Sequence, residues 1–328
     1  MVPSRSASHT GNMADDARPT AFVSGADGFL GAELLRALVA RGHRVFALTR
    51  SAETAQIVRR SGAMPVIGDL LTRGRWQDEA AADWVFHLPP NQPIPPLRTR
   101  VARKRASLIT RARVLMDRNL FDAVSAGSTR RIVYVADIRL YGAVGTHPIT
   151  EDERPRSSVF GDWLLPTLHR VDGYVLAGVP ILTAFPGLVY GRGGWFRELV
   201  MDPILAGRRV LQFGTTGRLV SPIHVHDCVR ALMHLVEHGE RGNRYFLVNS
   251  EPTRFNTFAT TFARIADRPL RVWRLPALTA RFVSRGDVGG YLQSDAVFSN
   301  IRLRGTGFRF EHPTLEQGLQ QVWESRNE

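Results

Sequence analysis

The chain has 328 residues and a net charge of +13; 44% of it is hydrophobic and 22% charged. That length supports one large or two small domains with a sizeable core, and that balance excludes disorder as the main state. A single cysteine, Cys228, excludes an intrachain disulfide and a cysteine-rich zinc site. The first 18 residues lack the apolar stretch of a secretory signal. They read as a mobile tail, with Met13 an alternative start and the cytoplasm the expected location. Ala21–Ser24 is a short apolar strand before a glycine cluster, and Ala32–Ala40 is helical, with apolar residues at 34, 35, 38 and 39. Strands follow at Arg44–Thr49, Val66–Ile67 and Trp84–Leu88. Pro89–Pro96, with five prolines, must be a loop at a strand end. Arg111–Ala126 reads as a long helix, and Arg131–Val135 and Ile181–Phe185 as strands. Strands alternating with helices predict a parallel sheet with crossovers. A membrane helix needs about 18 unbroken apolar residues. The longest uncharged stretch, Tyr174–Gly191, is broken by Pro180 and Pro186.

The glycines at 25, 28 and 31 lie between the first strand and the first helix. Glycine lets backbone turn tightly and approach a pyrophosphate, and the helix N-terminus adds amide donors and the positive dipole end. A dinucleotide site at Gly25, Asp27, Gly28, Phe29, Leu30 and Gly31 is therefore expected. The second strand ends in Arg50, where an NAD site would carry an acid for the ribose hydroxyl. Arginine suits a 2′-phosphate, so NADP(H) is expected ahead of NAD.

From Gly25 to Gly31 the chain resembles the TGxxGFLG signature of extended short-chain dehydrogenase/reductases, the epimerase/dehydratase group. The likeness continues at Gly68-Asp69-Leu70, Trp84–Leu88, Arg118–Ala123, Tyr134-Val135, Leu140-Tyr141-Gly142, Gly178–Gly191, Ser221–Asp227 and Phe310–Leu319. It implies a doubly wound α/β (Rossmann) fold over residues 19–190. A smaller substrate-binding region would span 191–328, with Ser221–Asp227 returning to the core. It also implies adenine contacts from Asp69 and Leu70 and a cofactor contact from Leu88; His87 is expected in packing or cofactor contact rather than proton transfer. Family members often form dimers through two helices.

The chain departs from this family at the chemistry. The family uses Ser/Thr, a tyrosine that moves the proton, and a lysine four residues on. Here Asp137 takes the Ser/Thr position. The segment best matching YGxSK reads Phe160-Gly161-Asp162-Trp163-Leu164, and the other frames pair Val159 with Trp163 or Pro166 with Arg170. No Tyr-x-x-x-Lys exists, because Lys104 is the only lysine. HLAA has become His87-Leu88-Pro89-Pro90, and RPG has become Phe185-Pro186-Gly187. The adenine half of the site is kept and the nicotinamide half rewritten, so the cofactor is expected to serve the chemistry, to bind as a structural element, or not to bind at all.

Replacement chemistry centres on Asp137, as an acid or base with a raised pKa in apolar surroundings, or else as a helix cap or the partner of Arg139. Tyr141 would line the same pocket, and His169 titrates in the right range or sits on a helix surface. His224 and His226 beside Asp227 read as a turn rather than a metal site. Arg98–Arg118 carries eight basic residues against one acid. It suggests an anionic or carrier-bound substrate, or a solvated helix; nothing in it matches a nucleic-acid motif. The expectation is an atypical enzyme on a small organic, specialised-metabolite-like molecule, working by redox-neutral acid–base chemistry or a non-standard reduction. The alternatives are a non-catalytic NADP(H)-binding sensor or scaffold, and a nucleic-acid-associated protein.

Overall fold

A computed structural model describes residues 18–89, 100–125, 129–142, 145–155, 161–276, 279, 291 and 294–327. Its centre is a seven-stranded sheet built from β1 (Ala21–Ser24), β2 (Val45–Thr49), β3 (Met64–Ile67), β4 (Trp84–His87), β5 (Arg131–Val135), β7 (Ile181–Pro186) and β12 (Arg244–Leu247). The order is β12-β7-β5-β4-β1-β2-β3, and every neighbouring pair is parallel. Helices cover both faces, so β1, β4 and β7 are buried at every position and read as apolar runs without alternation. The chain runs outward from β1 to β2 and β3, then returns to lay β4 on β1's other side. That reversal opens a crevice at the strands' carboxyl ends.

Helix α1 (Phe29–Ala40) buries Leu34, Leu35 and Leu38 against the sheet. Helix α2 (Ala52–Arg60) is started by Ser51, whose hydroxyl accepts from the Thr54 amide. Helix α3 (Trp76–Ala80) buries Trp76. Helix α4 (Arg100–Ser125) begins well before the expected Arg111 and packs against α5 (Gly161–Leu176). The prolines at 90–96 lie outside the described residues, as do the tail to residue 17 and Phe160.

Beyond residue 186 the chain alternates between two layers. Strand β8 (Leu188–Tyr190) pairs with β11 (Pro222–His224). Short helices α6 (Gly194–Phe196) and α7 (Asp202–Leu205) follow β8. Strand β9 (Arg209–Phe213) pairs with β14 (Arg271–Leu275), β10 (Leu219–Val220) with β13 (Thr253–Arg254), and β6 (Gly145–Ile149) with β15 (Ala296–Phe298). A separate apolar cluster, including Phe196, Phe258, Phe262 and Leu319, holds this smaller region around α9 (Thr257–Ile265). The return to the main layer extends past the expected Ser221–Asp227. Helix α8 (Val225–His238) packs on α1, and β12 closes one edge of the sheet. Helix α10 (Ile301–Gly305) and α11 (Leu315–Glu324) complete the chain; α11 starts in a Thr314/Gln317 capping box. Among the described residues, no helix is long and apolar enough to cross a membrane.

Candidate active site

β1 ends at Ser24, and the backbone turns at Gly25 with φ of +77°. A Cβ on Gly25 would lie 2.0 Å from the Leu88 carbonyl oxygen, and one on Gly31 would lie 2.1 Å from that of Gly25. These two glycines let α1 close directly onto the loop and β4. Gly28 differs: it is the N-cap of α1, and its Cβ would meet nothing nearer than 3.5 Å. No side chain caps α1, and no acid occupies its first turn. The helix's positive end therefore faces a cleft of about 490 Å³. That arrangement fits a pyrophosphate. Asp27, Phe29 and Leu30 line the same cleft.

Arg50, Asp69 and Leu70 line one end. Arg50 is exposed there. One oxygen of Asp69 accepts from the Leu71 amide at 2.9 Å, and Asn119 Nδ2 donates to the Leu70 carbonyl at 2.8 Å. Leu88 lines the cleft floor, whereas His87 does not. Alternation along β4 turns the His87 ring into the core rather than into the cleft. Its Nδ1 lies 2.6 Å from Ser24 Oγ, and its Nε2 lies 2.9 Å from Asp117 Oδ1. Tyr134 Oη donates to the other Asp117 oxygen at 3.1 Å, and Arg113 donates to Tyr134 Oη at 3.2 Å. Burial holds the His87 pKa below its usual value, against the pull of Asp117. The buried charges are thus Asp117 and Arg113, with Ser24, His87 and Tyr134 completing the hydrogen bonds.

The opposite end is built from the strand ends of β5 and β7. Val135–Asp137, Pro186–Val189, Trp195 and Tyr291 line it. Asp137 is not the raised-pKa acid that its position suggests. Its carboxylate receives the Arg139 Nε at 2.9 and 3.0 Å and the Arg139 amide at 2.9 Å. Burial opposes ionisation, but the guanidinium and the amide override it and hold the carboxyl below its usual range. Asp137 also caps a single helical turn, Ile138–Tyr141.

Tyr141, expected to line the pocket, is fully buried among Phe185, Phe246 and Phe298 in the core. His169 lies on the exposed face of α5 and outside the cleft lining. Tyr291 was not singled out from the sequence. It lies in a segment without helical or strand periodicity, so nothing linear ties it to β5 or β7. Its Oη donates to the Gly187 carbonyl at 3.3 Å, and the Arg139 guanidinium lies 5.5 Å from its ring centroid.

A family model described as the NAD dependent epimerase/dehydratase family matches residues 21–249. The chain belongs to this epimerase/dehydratase family. It is 29% identical to a 4-hydroxy-2-methyl-3-oxo-4-farnesyl-3,4-dihydroquinoline-1-oxide ketoreductase of Stigmatella aurantiaca, over 79% of this chain and 77% of that one. It is 27% identical to a dTDP-4-dehydro-6-deoxy-D-allose reductase of a Streptomyces species, over 67% and 73%. Its fold matches that of a UDP-glucose 4-epimerase of Stenotrophomonas maltophila, solved with bound NAD and formylated UDP-arabinopyranose. The TM-score is 0.75 at 17% identity, covering 94% of this chain and 98% of that one.

Within this epimerase/dehydratase fold, Leu164 is buried in the main core with Leu168, away from the cleft. The only lysine, Lys104, is exposed on α4. The basic segment divides. Arg113 turns inward to Tyr134, whereas Arg111 and Arg118 face solvent; Arg98 and the side chains at 100, 103 and 105 lie outside the described residues. His224, His226 and His312 gather their rings within 4.4–6.2 Å. Asp227, Glu311 and His312 bring their ligand atoms within 4.8 Å of one another. Asp227 accepts from the amides of Glu311 and His312, each at 2.8 Å, and from Arg230. Those bonds fasten the C-terminal segment to α8. Cys228 is buried beside them, and burial pushes its thiol pKa up.

Proposed function

We propose that this protein is a nicotinamide-nucleotide enzyme acting at an oxygen-bearing carbon of a small organic molecule, with NADP(H) preferred. The observation that carries this reading is one continuous cleft. It joins the uncapped start of α1 to the ends of β5 and β7, and it crosses the point where the strand order reverses. When bound, the cofactor supplies hydride chemistry at the β5/β7 end. The α1 amides would hold its pyrophosphate, Arg50 its 2′-phosphate, and the Asp69–Leu70 turn its adenosine. Asp137 and Arg139 form a fixed ion pair that orients a substrate oxygen. The curated relatives named above are both called reductases, which supports carbonyl reduction ahead of redox-neutral chemistry. The smaller region from residue 191 closes the substrate end through Trp195 and Tyr291.

Calorimetric titration with NADPH, NADP, NADH and NAD tests the cofactor half. Tight binding of the phosphorylated pair, weakened at least tenfold in Arg50→Ala while NADH is unaffected, is expected. Equal affinity of all four forms would refute the preference. No binding of any would overturn the reading. The replacement of the family's lysine by a buried leucine favours a second reading, a nucleotide-binding sensor. It predicts tight NADPH binding without turnover of any ketone.

A further inference from the structure

We infer that Tyr291, supplied by the C-terminal region rather than by α5, is the proton donor and acceptor of this cleft. The assignment rests on the enzymatic reading above for its reaction. Among the described residues, five ionisable side chains line the cleft: Asp27, Arg50, Asp69, Asp137 and Tyr291. Asp27 belongs to the phosphate loop, and Arg50 and Asp69 to the adenosine end. Asp137 is held ionised by the Arg139 fork. A side chain kept in its charged form has no proton to give. Tyr291 is the group at the β5/β7 end with an O–H bond to break.

Its surroundings suit that work. The Oη proton is directed at the Gly187 carbonyl across 3.3 Å, a long and weak hydrogen bond that a substrate oxygen can replace. That carbonyl is a fixed reference point. The Gly187 amide donates to the Leu247 carbonyl at 2.9 Å, and a Cβ on Gly187 would lie 2.2 Å from the Ser221 carbonyl. The Tyr291 ring packs against both the main core and the C-terminal cluster, so its position is set where the two regions meet. Arg139 stands over the ring at 5.5 Å, itself braced by Asp137.

In the reducing direction the substrate carbonyl carbon gains a hydride from a dihydronicotinamide, and the C=O π pair moves to oxygen. That oxygen takes the Tyr291 Oη proton, leaving a phenolate beside Arg139 that water reprotonates. In the reverse direction the phenolate takes the hydroxyl proton. The family's tyrosine-lysine pair is thereby answered by a tyrosine and an arginine from two separate elements.

Two measurements on wild type and Tyr291→Phe decide the assignment, with NADPH calorimetry and circular dichroism confirming that both are folded. The first follows phenolate absorbance against pH without any ligand. The chain has six tyrosines. Burial pushes up the hydroxyls of Tyr134, Tyr141, Tyr174 and Tyr190. The assignment places the earliest ionisation at Tyr291, whose hydroxyl lies in the cleft, and that step should be missing from the Phe variant. The second follows NADPH oxidation with a panel of nucleotide-linked keto-sugars and aryl ketones. Tyr291→Phe should lower kcat by about 100-fold or more, with KM within about threefold. An early step that survives in Tyr291→Phe, or an unchanged kcat, overturns the assignment. An early step that vanishes while wild type reduces no ketone supports Tyr291 as the cleft's ionising group and defeats the reductase reading instead.

Discussion

A carboxyl's chemistry can be decided by a neighbour two residues away, as at Asp137. Burial alone would raise its pKa, yet the Arg139 fork and amide keep it ionised. Asp137→Asn keeps the shape and removes the buried carboxylate charge that the Arg139 fork holds. A loss of about 3 kcal/mol at neutral pH is expected, read as a lower urea midpoint. Because the folded pKa is depressed, this stability is present above the unfolded value near pH 4. It is lost as pH falls through the folded value, so the gap between wild type and variant should close in acid. Equal midpoints at pH 7 would contradict the ion pair's role. The sequence showed that Asp137 sits at the end of a central strand, and Arg139 stood beside it as the alternative partner. It could not show which of the two effects prevails, because that depends on an angle between side chains. His87 was ambiguous for a similar reason. Its strand was legible, but its depth depended on Asp117 and Ser24, which lie 30 and 63 residues away.

The strand–loop–helix unit at Ser24–Gly31 was the most legible element, because glycine spacing is a local signal with a local cause. Its three glycines nevertheless do different things. Gly31→Ala sets a methyl carbon 2.1 Å from the Gly25 carbonyl, so backbone must move. A loss of at least about 2 kcal/mol is expected in thermal or urea unfolding. Gly28→Ala meets nothing closer than 3.5 Å and should melt within a few degrees of wild type. Gly28 lines the cleft where the proposed reading seats the pyrophosphate, and there nucleotide affinity should fall by about tenfold or more by calorimetry. If Gly28→Ala binds nucleotide normally, the cradle lies elsewhere. Longer elements were less legible at their ends. Helix α4 starts at Arg100 because its first turns, although dense in charge, are good helix formers. The apolar periodicity used to place its start begins only later. Strand β12 was missed entirely, since the four residues Arg244–Leu247 announce themselves only by pairing with β7.

Across the whole molecule, the histidines make a common prediction. Burial holds His87, His226 and His234 below their usual pKa and pushes His224 down to about 3. The unfolded chain binds a proton at each near pH 6.5, where the native state does not. Stability contributed by these groups is therefore complete above about pH 6.5 and lost as pH falls toward the folded values. The deeply buried His87 and His224 can each steepen the decline by up to about 1.4 kcal/mol per pH unit, and the more exposed His226 and His234 add less because solvent screens them. The urea midpoint should drop clearly between pH 7 and pH 5, before the carboxylates titrate. A flat profile there would mean that these rings are hydrated in solution. At this scale the sequence was legible in its parallel sheet and family likeness, which rest on repeated local patterns. It was silent on Tyr291, because bringing that residue beside Gly187 requires the return of a chain 104 residues further on.

Trp195 lines the substrate end of the cleft and donates its indole proton to the Val189 carbonyl at 2.7 Å. That bond fixes the indole's transition dipole relative to whatever lies in the cleft. The emission of an indole overlaps the absorption of a reduced nicotinamide but not of the oxidised form. With the proposed nicotinamide cofactor bound, the protein would carry its own optical gauge of that cofactor's redox state. Excitation of tryptophan should yield sensitised nicotinamide emission only with the reduced cofactor, and Trp195→Phe should reduce it while leaving affinity for the adenosine half intact.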